Sequence, residues 1–121
     1  MTIQQGRSNY YAGRAAEEAV ARWYCGQGGV LCETRWRGQG GEIDLIVRDG
    51  DTVVFVEVKK SRDFDRAAQA LSQRQMGRIA MAAGEFLDTQ PAGSLTPARF
   101  DVALVDDLGR IEVLENAFGV C

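Results

Sequence analysis

Two apolar segments joined by a short turn constrain the fold of this chain more than any other part of its sequence. Residues 41–48 (GEIDLIVR) alternate polar and apolar side chains, and residues 52–59 (TVVFVEVK) are rich in β-branched and aromatic residues. Both patterns are typical of β-strands, and the Asp49-Gly50-Asp51 sequence between them is typical of a tight turn. The sequence therefore predicts a β-hairpin over residues 41–59.

The register of this hairpin decides whether its charged side chains meet. Side chains alternate between the two faces of a strand, so Glu57 and Lys59 share a face, and Asp44 lies on the polar face of its own strand with Glu42. A loop of two residues or of four residues places Asp44, Glu57 and Lys59 together at one end of the hairpin, whereas a loop of three residues separates them. The apolar residues expected on the other face of the first strand are Ile43, Leu45 and Val47.

Two neighbouring carboxylates in an apolar hairpin need a compensating charge. At a separation of about 4 Å they repel by roughly 4 kcal/mol at an effective dielectric constant near 20. Lys59, a divalent cation or a bound proton offsets that repulsion. The chain contains no histidine, which excludes Ser-His-Asp and Cys-His catalysis, and oxygen ligands alone favour Mg²⁺ or Mn²⁺ over Zn²⁺.

Less specific interpretations of the same residues stay open. A Glu-x-Lys sequence at a strand end is commonly a surface ion pair, and an aspartate within IDLI is commonly the polar face of a half-buried strand. Glu42 is either a metal ligand or the partner of Arg35 or Arg37, and we favour the ion pair. These alternatives make the combination of the two strands more informative than either strand alone.

The rest of the chain completes a single α/β domain over residues 1–121, with a core of about 9–118. The order of elements is αβββαββ, which predicts a mixed sheet with helices packed on it. Alanines and other apolar residues at helical spacing predict a helix over 9–26, and an Arg- and Gly-rich loop is expected over 35–40. The remaining elements expected are a strand over 30–34, one or two helices over 66–88, a loop over 91–97, and a hairpin of strands 99–105 and 110–114.

Composition is that of an ordinary soluble domain, with 45% hydrophobic and 26% charged residues. No apolar segment approaches the roughly 18 residues needed to span a membrane, and the N-terminus lacks the apolar region of a secretory signal, so a cytoplasmic location is expected. The three cysteines lack the spacing of a zinc site or a disulfide framework. Cys25 and Cys32 are expected to be small buried side chains.

Charge is distributed unevenly along the chain, although the net charge is only −3. Residues 59–78 carry six basic side chains against Asp63 and Asp65, a local charge of +4 beginning at the proposed site. Such a segment is either a phosphate-binding surface or a solvated helix face. The candidate phosphate contacts within it are Arg62, Arg66, Arg74 and Arg78.

Several motifs resemble the YraN family of small bacterial proteins, which is related to archaeal Holliday-junction resolvases and to the PD-(D/E)xK nuclease superfamily. The resemblance covers about residues 13–118. Its motifs are GRAAE at 13–17, Trp36-Arg37, GEIDLI at 41–46, FVEVK at 55–59 and RFDV at 99–102.

This resemblance implies a restriction-endonuclease-like three-layer domain with a mixed central sheet. It implies that Asp44, Glu57 and Glu17 bind metal and that Lys59 completes the catalytic set; the residues alone indicate only a solvated helix position for Glu17. The chain departs from its relatives at Gln75-Met76, where they usually have Lys-Gln. Asp101 is a candidate support for the site from a neighbouring strand, but a hydrogen-bonded structural role is favoured because buried carboxylates need partners.

The leading hypothesis is a Mg²⁺- or Mn²⁺-dependent endonuclease that acts on branched or single-stranded DNA. Arg37 is a further candidate DNA contact, and the hypothesis allows for a homodimer. The alternative is a catalytically weak module on the same fold that binds nucleic acid or a repair protein, which Gln75-Met76 favours. A third hypothesis is an interaction protein that binds neither metal nor nucleic acid.

Overall fold

A computed structural model describes residues 3–64 and 72–118, with side chains from Gly13 onward in the first helix. The described part contains two α-helices, five β-strands and a short 3-10 helix. Their bounds are α1 (Ile3–Gly26), β1 (Val30–Arg37), β2 (Glu42–Asp49), β3 (Thr52–Lys60), α2 (Gln73–Leu87), the 3-10 helix (Gly93–Leu95), β4 (Ala98–Val105) and β5 (Ile111–Phe118). The predicted order of helices and strands is confirmed, and Arg35–Arg37, expected in a loop, extend β1.

The five strands form one mixed sheet in the spatial order β1-β2-β3-β4-β5. Neighbouring strands are antiparallel except β3 and β4, which are parallel. A parallel pair needs a long crossover, and here the crossover contains α2. The β2–β3 hairpin pairs Asp49 with Thr52 and Leu45 with Val56, which is the register that the longer of the two predicted loops requires.

The two helices pack on opposite faces of the sheet. Ala16, Val20 and Tyr24 of α1 pack against one face, and Ile79, Ala82 and Phe86 of α2 pack against the other. The buried strand residues facing α1 are Leu45, Val47, Val54, Val56, Ala103 and Val105. The arrangement is consistent with a three-layer α/β domain. Among the residues described, no helix is both long enough and apolar enough to cross a membrane.

Strand β2 departs from regular alternation next to Asp44. Ile43 was expected beside Leu45 and Val47, but it packs in the α2 cluster with Ile46 and Phe55. Trp36, the partner of Ile43 in β1, also packs against that cluster and lies edge-on to Phe86, with the ring centroids 5.4 Å apart. The side chains change face between Ile43 and Leu45, so the strand is irregular at Asp44.

The expectation that Cys25 and Cys32 are buried is wrong, since both are exposed free thiols. The buried residues of α1 lie at positions 16, 20 and 24, and Cys25 follows them on the outward side of the helix. Cys32 lies in the edge strand β1, between Leu31 and Glu33, where the pairing with β2 is irregular. Cys121 lies outside the described residues.

The structural role favoured for Asp101 is confirmed. The Asp101 side chain is fully buried, and it accepts hydrogen bonds from the Tyr24 hydroxyl at 2.7 Å, from Arg99 Nε at 3.1 Å and from the Asn116 backbone N–H at 3.0 Å. Burial and the hydrogen bond to this carboxylate raise the pKa of Tyr24. Asp101 therefore ties α1 to β4 and β5, and in the β3–β4 pair it lies opposite Val56, the residue before Glu57.

Candidate functional site

Strands β2 and β3 are joined by a side chain where their regular pairing stops. The last paired residues are Leu45 and Val56. Immediately beyond them, Asp44 Oδ2 accepts a hydrogen bond from the backbone N–H of Val58 at 2.8 Å. A carboxylate thus takes the place that a backbone carbonyl would occupy in a continuing ladder, and this bond fixes Asp44 beside β3.

Glu57 lies next to this point and is only 6% exposed. Its Oε1 accepts a hydrogen bond from Gln75 Nε2 of α2 at 3.0 Å. Lys59 Nζ donates to Gln75 Oε1 at 3.1 Å and lies 3.8 Å from Glu57 Oε1. The structure therefore brings together Asp44, Glu57 and Lys59, as the hairpin register predicted, and adds Gln75 as a bridge between the acid and the amine.

Burial makes this pair of acids reluctant to ionise together. Burial and, after it, the negative charge of Asp44 raise the pKa of Glu57 to about 8, against the opposing effect of Lys59. The pKa of Asp44 is also raised, first by burial and then by the charge of Glu17, although the hydrogen bond from Val58 acts against that rise. Near neutral pH the pair consequently holds a proton unless a cation replaces it.

One oxygen of the pair has no hydrogen-bond donor among the residues that the structure describes. Glu57 Oε2 is buried and accepts no hydrogen bond from residues 3–64 or 72–118. An unsatisfied buried carboxylate oxygen beside a second carboxylate fits a divalent cation, because Mg²⁺ is commonly held by one or two carboxylates together with waters and substrate phosphates. Among residues 3–64 and 72–118, however, no three acidic, histidine or cysteine side chains form a group that could hold a metal ion.

Glu17, which the resemblance assigned to the metal, lies close enough to Asp44 for its charge to raise that pKa but is engaged elsewhere. Its Oε2 forms an ion pair with Arg35 Nε at 2.9 Å. Arg35 has a backbone φ of 49°, a left-handed conformation that is uncommon for a residue other than glycine. The Asp44–Glu57 pair is therefore the part of the predicted ligand set that the structure assembles.

The predicted phosphate-contacting arginines lie in several places around this site. Arg62 is exposed just after β3, and Arg74 and Arg78 are exposed in the first half of α2. Arg37 forms an ion pair with Glu42 at 3.0 Å, as favoured for Glu42 from the sequence. Arg66 lies outside the described residues.

Gln75 had been noted only as a missing positive charge, and its contacts were not foreseen. The helix that carries Gln75 is capped at its N-terminus by Ser72, whose hydroxyl accepts a hydrogen bond from the Gln75 backbone N–H at 3.1 Å. Ser-x-x-Gln is the signature of a capping box, in which the glutamine side chain normally returns to the first residue of the motif. Here the side chain bonds Glu57 and Lys59 instead. The motif locates the helix start, but only the packing of α2 reveals the contact.

A second unforeseen contact holds the loop before β2. Glu85 of α2 accepts hydrogen bonds from the backbone N–H groups of Gln39 at 2.9 Å and Gly40 at 3.0 Å. A Cβ on Gly40 would lie 2.6 Å from Met81 Cγ, so a side chain there would displace the loop from the helix. One helix therefore fixes both the entry to β2, through Glu85, and the acid of β3, through Gln75.

These features define a mixed α/β domain in which a buried glutamate, a half-buried aspartate, a lysine and a glutamine lie together at the point where two central strands stop pairing. The chain belongs to the uncharacterised protein family UPF0102, whose model matches residues 16–105, and this confirms the resemblance to the YraN family. It is 61% identical over 115 residues to a UPF0102 protein of Ruegeria pomeroyi, covering 95% of this chain and 94% of that protein. It is 59% identical over 113 residues to a UPF0102 protein of Cereibacter sphaeroides, covering 93% and 97% of the two chains.

Proposed function

We propose that this domain is a Mg²⁺- or Mn²⁺-dependent nuclease with a restriction-endonuclease-like fold, which hydrolyses phosphodiester bonds in branched or single-stranded DNA. The observation that carries the proposal is the buried Oε2 of Glu57, which lies beside Asp44 and has no hydrogen-bond donor in the described part of the chain. A buried carboxylate oxygen that lacks a donor and lies beside a second carboxylate is the arrangement that a ligand for a divalent cation would show in the metal-free protein.

Asp44 and Glu57 are the residues that would hold the cation. Bound there, it would supply positive charge to polarise a phosphate and to stabilise the negative charge that develops during hydrolysis. Glu57 gives up its proton on becoming a ligand, so the affinity for the cation rises with pH up to the region of its pKa near 8. Asp44 keeps its hydrogen bond to Val58, which holds the carboxylate in place.

Lys59 supplies the second charge that hydrolysis needs. Its ammonium group is 3.8 Å from Glu57 and is oriented by Gln75, so it can hold a phosphate oxygen or position the attacking water. The chain has no histidine to act as a base. The proton of the attacking water would therefore pass to solvent or to one of the titratable groups of the site, Asp44, Glu57 or Lys59.

The test is an incubation of the protein with branched, single-stranded and duplex DNA in Mn²⁺, in Mg²⁺ and in chelator. We expect metal-dependent cleavage that is lost in Asp44→Asn and in Lys59→Ala. Lys60→Ala is the matched control, because Lys60 is the exposed neighbour of Lys59 at the end of the same strand. Cleavage that persists in both site variants, or in chelator, would refute the proposal.

A second candidate is a binding module with little or no catalysis. It is favoured by the hydrogen bond that engages Lys59 with Gln75 and by the ion pair that engages Glu17 with Arg35. Salt-sensitive DNA binding without cleavage under any of the metal conditions would select this candidate.

A further inference from the structure

A cavity of about 340 Å³ lies between α1 and the β1–β2 ladder, adjoining the carboxylate site. Its volume falls within the roughly 300–1,000 Å³ range of small-ligand pockets. Glu17 lines the cavity and acts electrostatically on Asp44, and Leu45, which follows Asp44 in β2, forms part of its wall. A ligand in the cavity would therefore contact Glu17, whose charge acts on Asp44 of the proposed metal site.

The lining combines two kinds of side chain. Three arginines, Arg14, Arg22 and Arg35, line it together with Glu17 and Glu18, which leaves one net positive charge. Apolar contact is available from Ala21, Leu31 and Leu45. Guanidinium groups bind phosphates in a bidentate manner and also stack on nucleobases, while the apolar residues suit the faces of a base.

The backbone of Arg35 adds an independent observation. Its left-handed φ of 49° is strained for a residue with a side chain, and such conformations concentrate at functional sites. In this conformation Arg35 forms its ion pair with Glu17, and both residues line the cavity.

We propose that this cavity binds one unpaired nucleotide of a single strand, with its base against Ala21, Leu31 and Leu45 and its phosphate near the arginines. A base in a duplex is stacked and paired, and so is unable to enter a pocket of this kind without leaving the helix. The inference rests on the proposed nuclease function and deepens it: the substrate has a single-stranded segment directly beside the bond that is cut.

The test measures binding in chelator, where no cleavage occurs, by the fluorescence anisotropy of labelled oligothymidylate and of a duplex of equal length. We expect tighter binding of the single strand. Ala21→Leu, which fills the cavity, should weaken that binding by about tenfold, in line with the loss of contacts to one base. Ala15→Leu makes the same change at an exposed position of α1 that does not line the cavity, and should leave binding unchanged.

Thr34→Leu provides a second way to fill the cavity, from an exposed position of β1, if Ala21→Leu does not fold. Absent single-strand binding, equal binding of duplex, or unchanged binding in a folded cavity-filling variant would overturn the inference. The nuclease proposal can fail separately. If single-strand binding depends on the cavity but the protein never cleaves DNA in Mn²⁺, the nucleotide pocket is supported and the nuclease function is refuted. If Ala21→Leu and Thr34→Leu cleave DNA as the wild-type protein does, the nuclease function is supported and the nucleotide pocket is refuted.

Discussion

The carboxylate of Asp44 accepts a hydrogen bond from the backbone N–H of Val58, 2.8 Å away, at the place where β2 and β3 stop pairing. In this bond the Asp44 side chain replaces a backbone hydrogen bond between the two strands. Because Val58 follows Glu57, the bond also brings Asp44 beside Glu57. The bond holds the half-buried Asp44 close to the buried Glu57, and burial raises the pKa of both acids although the bond itself acts against the rise for Asp44.

The stability of the metal-free protein should fall as the pH rises. Glu57 has a pKa of about 8 in the folded protein and an ordinary value of 4.5, so between these values the folded state binds more protons than the unfolded state. The free energy of unfolding then decreases with pH, by at most about 1.4 kcal/mol per pH unit for this group. Urea denaturation in chelator from pH 5 to 9 measures the slope. Glu57→Gln should flatten it and should be the more stable protein at pH 8.5; an equal slope in this variant would contradict the assignment.

A lysine at position 75 should lower the pKa of Glu57. Gln75 Nε2 contacts Glu57 at 3.0 Å, so an ammonium group there would favour the ionised carboxylate. In the same urea series we expect the Gln75→Lys variant to lose less stability between pH 6 and 8.5 than the wild-type protein. Gln73→Lys adds the same charge at an exposed position of the same helix turn and is the matched control. Identical behaviour of the two variants would show that the Gln75 contact does not set the pKa.

Weakening the attachment of the loop before β2 should destabilise the fold. Glu85→Gln leaves at most one good acceptor for the two backbone N–H groups of Gln39 and Gly40. We expect a loss of about 1.5–3 kcal/mol in the free energy of unfolding, the usual magnitude for a hydrogen bond to a charged group. Glu112→Gln, on the exposed surface of β5, should change it by less than about 0.5 kcal/mol. Equal effects of the two substitutions would count against a specific role for Glu85.

Removing one donor from the buried Asp101 network should also be costly. Tyr24→Phe deletes only the hydroxyl that donates to Asp101 at 2.7 Å and keeps the ring. A loss of about 1.5–3 kcal/mol is expected, since the hydrogen bond is buried and its acceptor is charged. Thermal or urea unfolding measures the loss. If Asp101 has only a structural role, the variant should retain wild-type metal binding while it is folded.

Much of this fold follows from local pattern. The hairpin of β2 and β3 was predictable because alternation, β-branched residues and an Asp-Gly turn all agree, and the register brought Asp44, Glu57 and Lys59 together as expected. The extension of β1 to Arg37 was missed because the glycines that follow it suggested a loop. The strand continues because Trp36 packs against Phe86 of α2, a contact that no local pattern contains.

The parts of the site that come from other elements were less predictable. Gln75 reaches Glu57 only because α2 crosses the sheet at that level, and the ion pair between Glu17 and Arg35 depends on the packing of α1 beside β1. The face that Ile43 occupies was predicted wrongly, because strict alternation assumes a regular strand. The departure occurs where Asp44 bonds to β3 through its side chain, so the irregularity and the site have a common location.

The most direct test of the central claim is a Mn²⁺ titration followed by electron paramagnetic resonance at pH 8, with Asp44→Asn, Glu57→Gln and, as control, Asp51→Asn in the exposed turn of the hairpin. If Asp44 and Glu57 jointly hold one divalent cation, the wild-type protein and the control should each bind one Mn²⁺. Each site variant should then bind it about tenfold or more weakly. Absence of Mn²⁺ binding in the wild-type protein, or equal binding by all four proteins, would contradict the account.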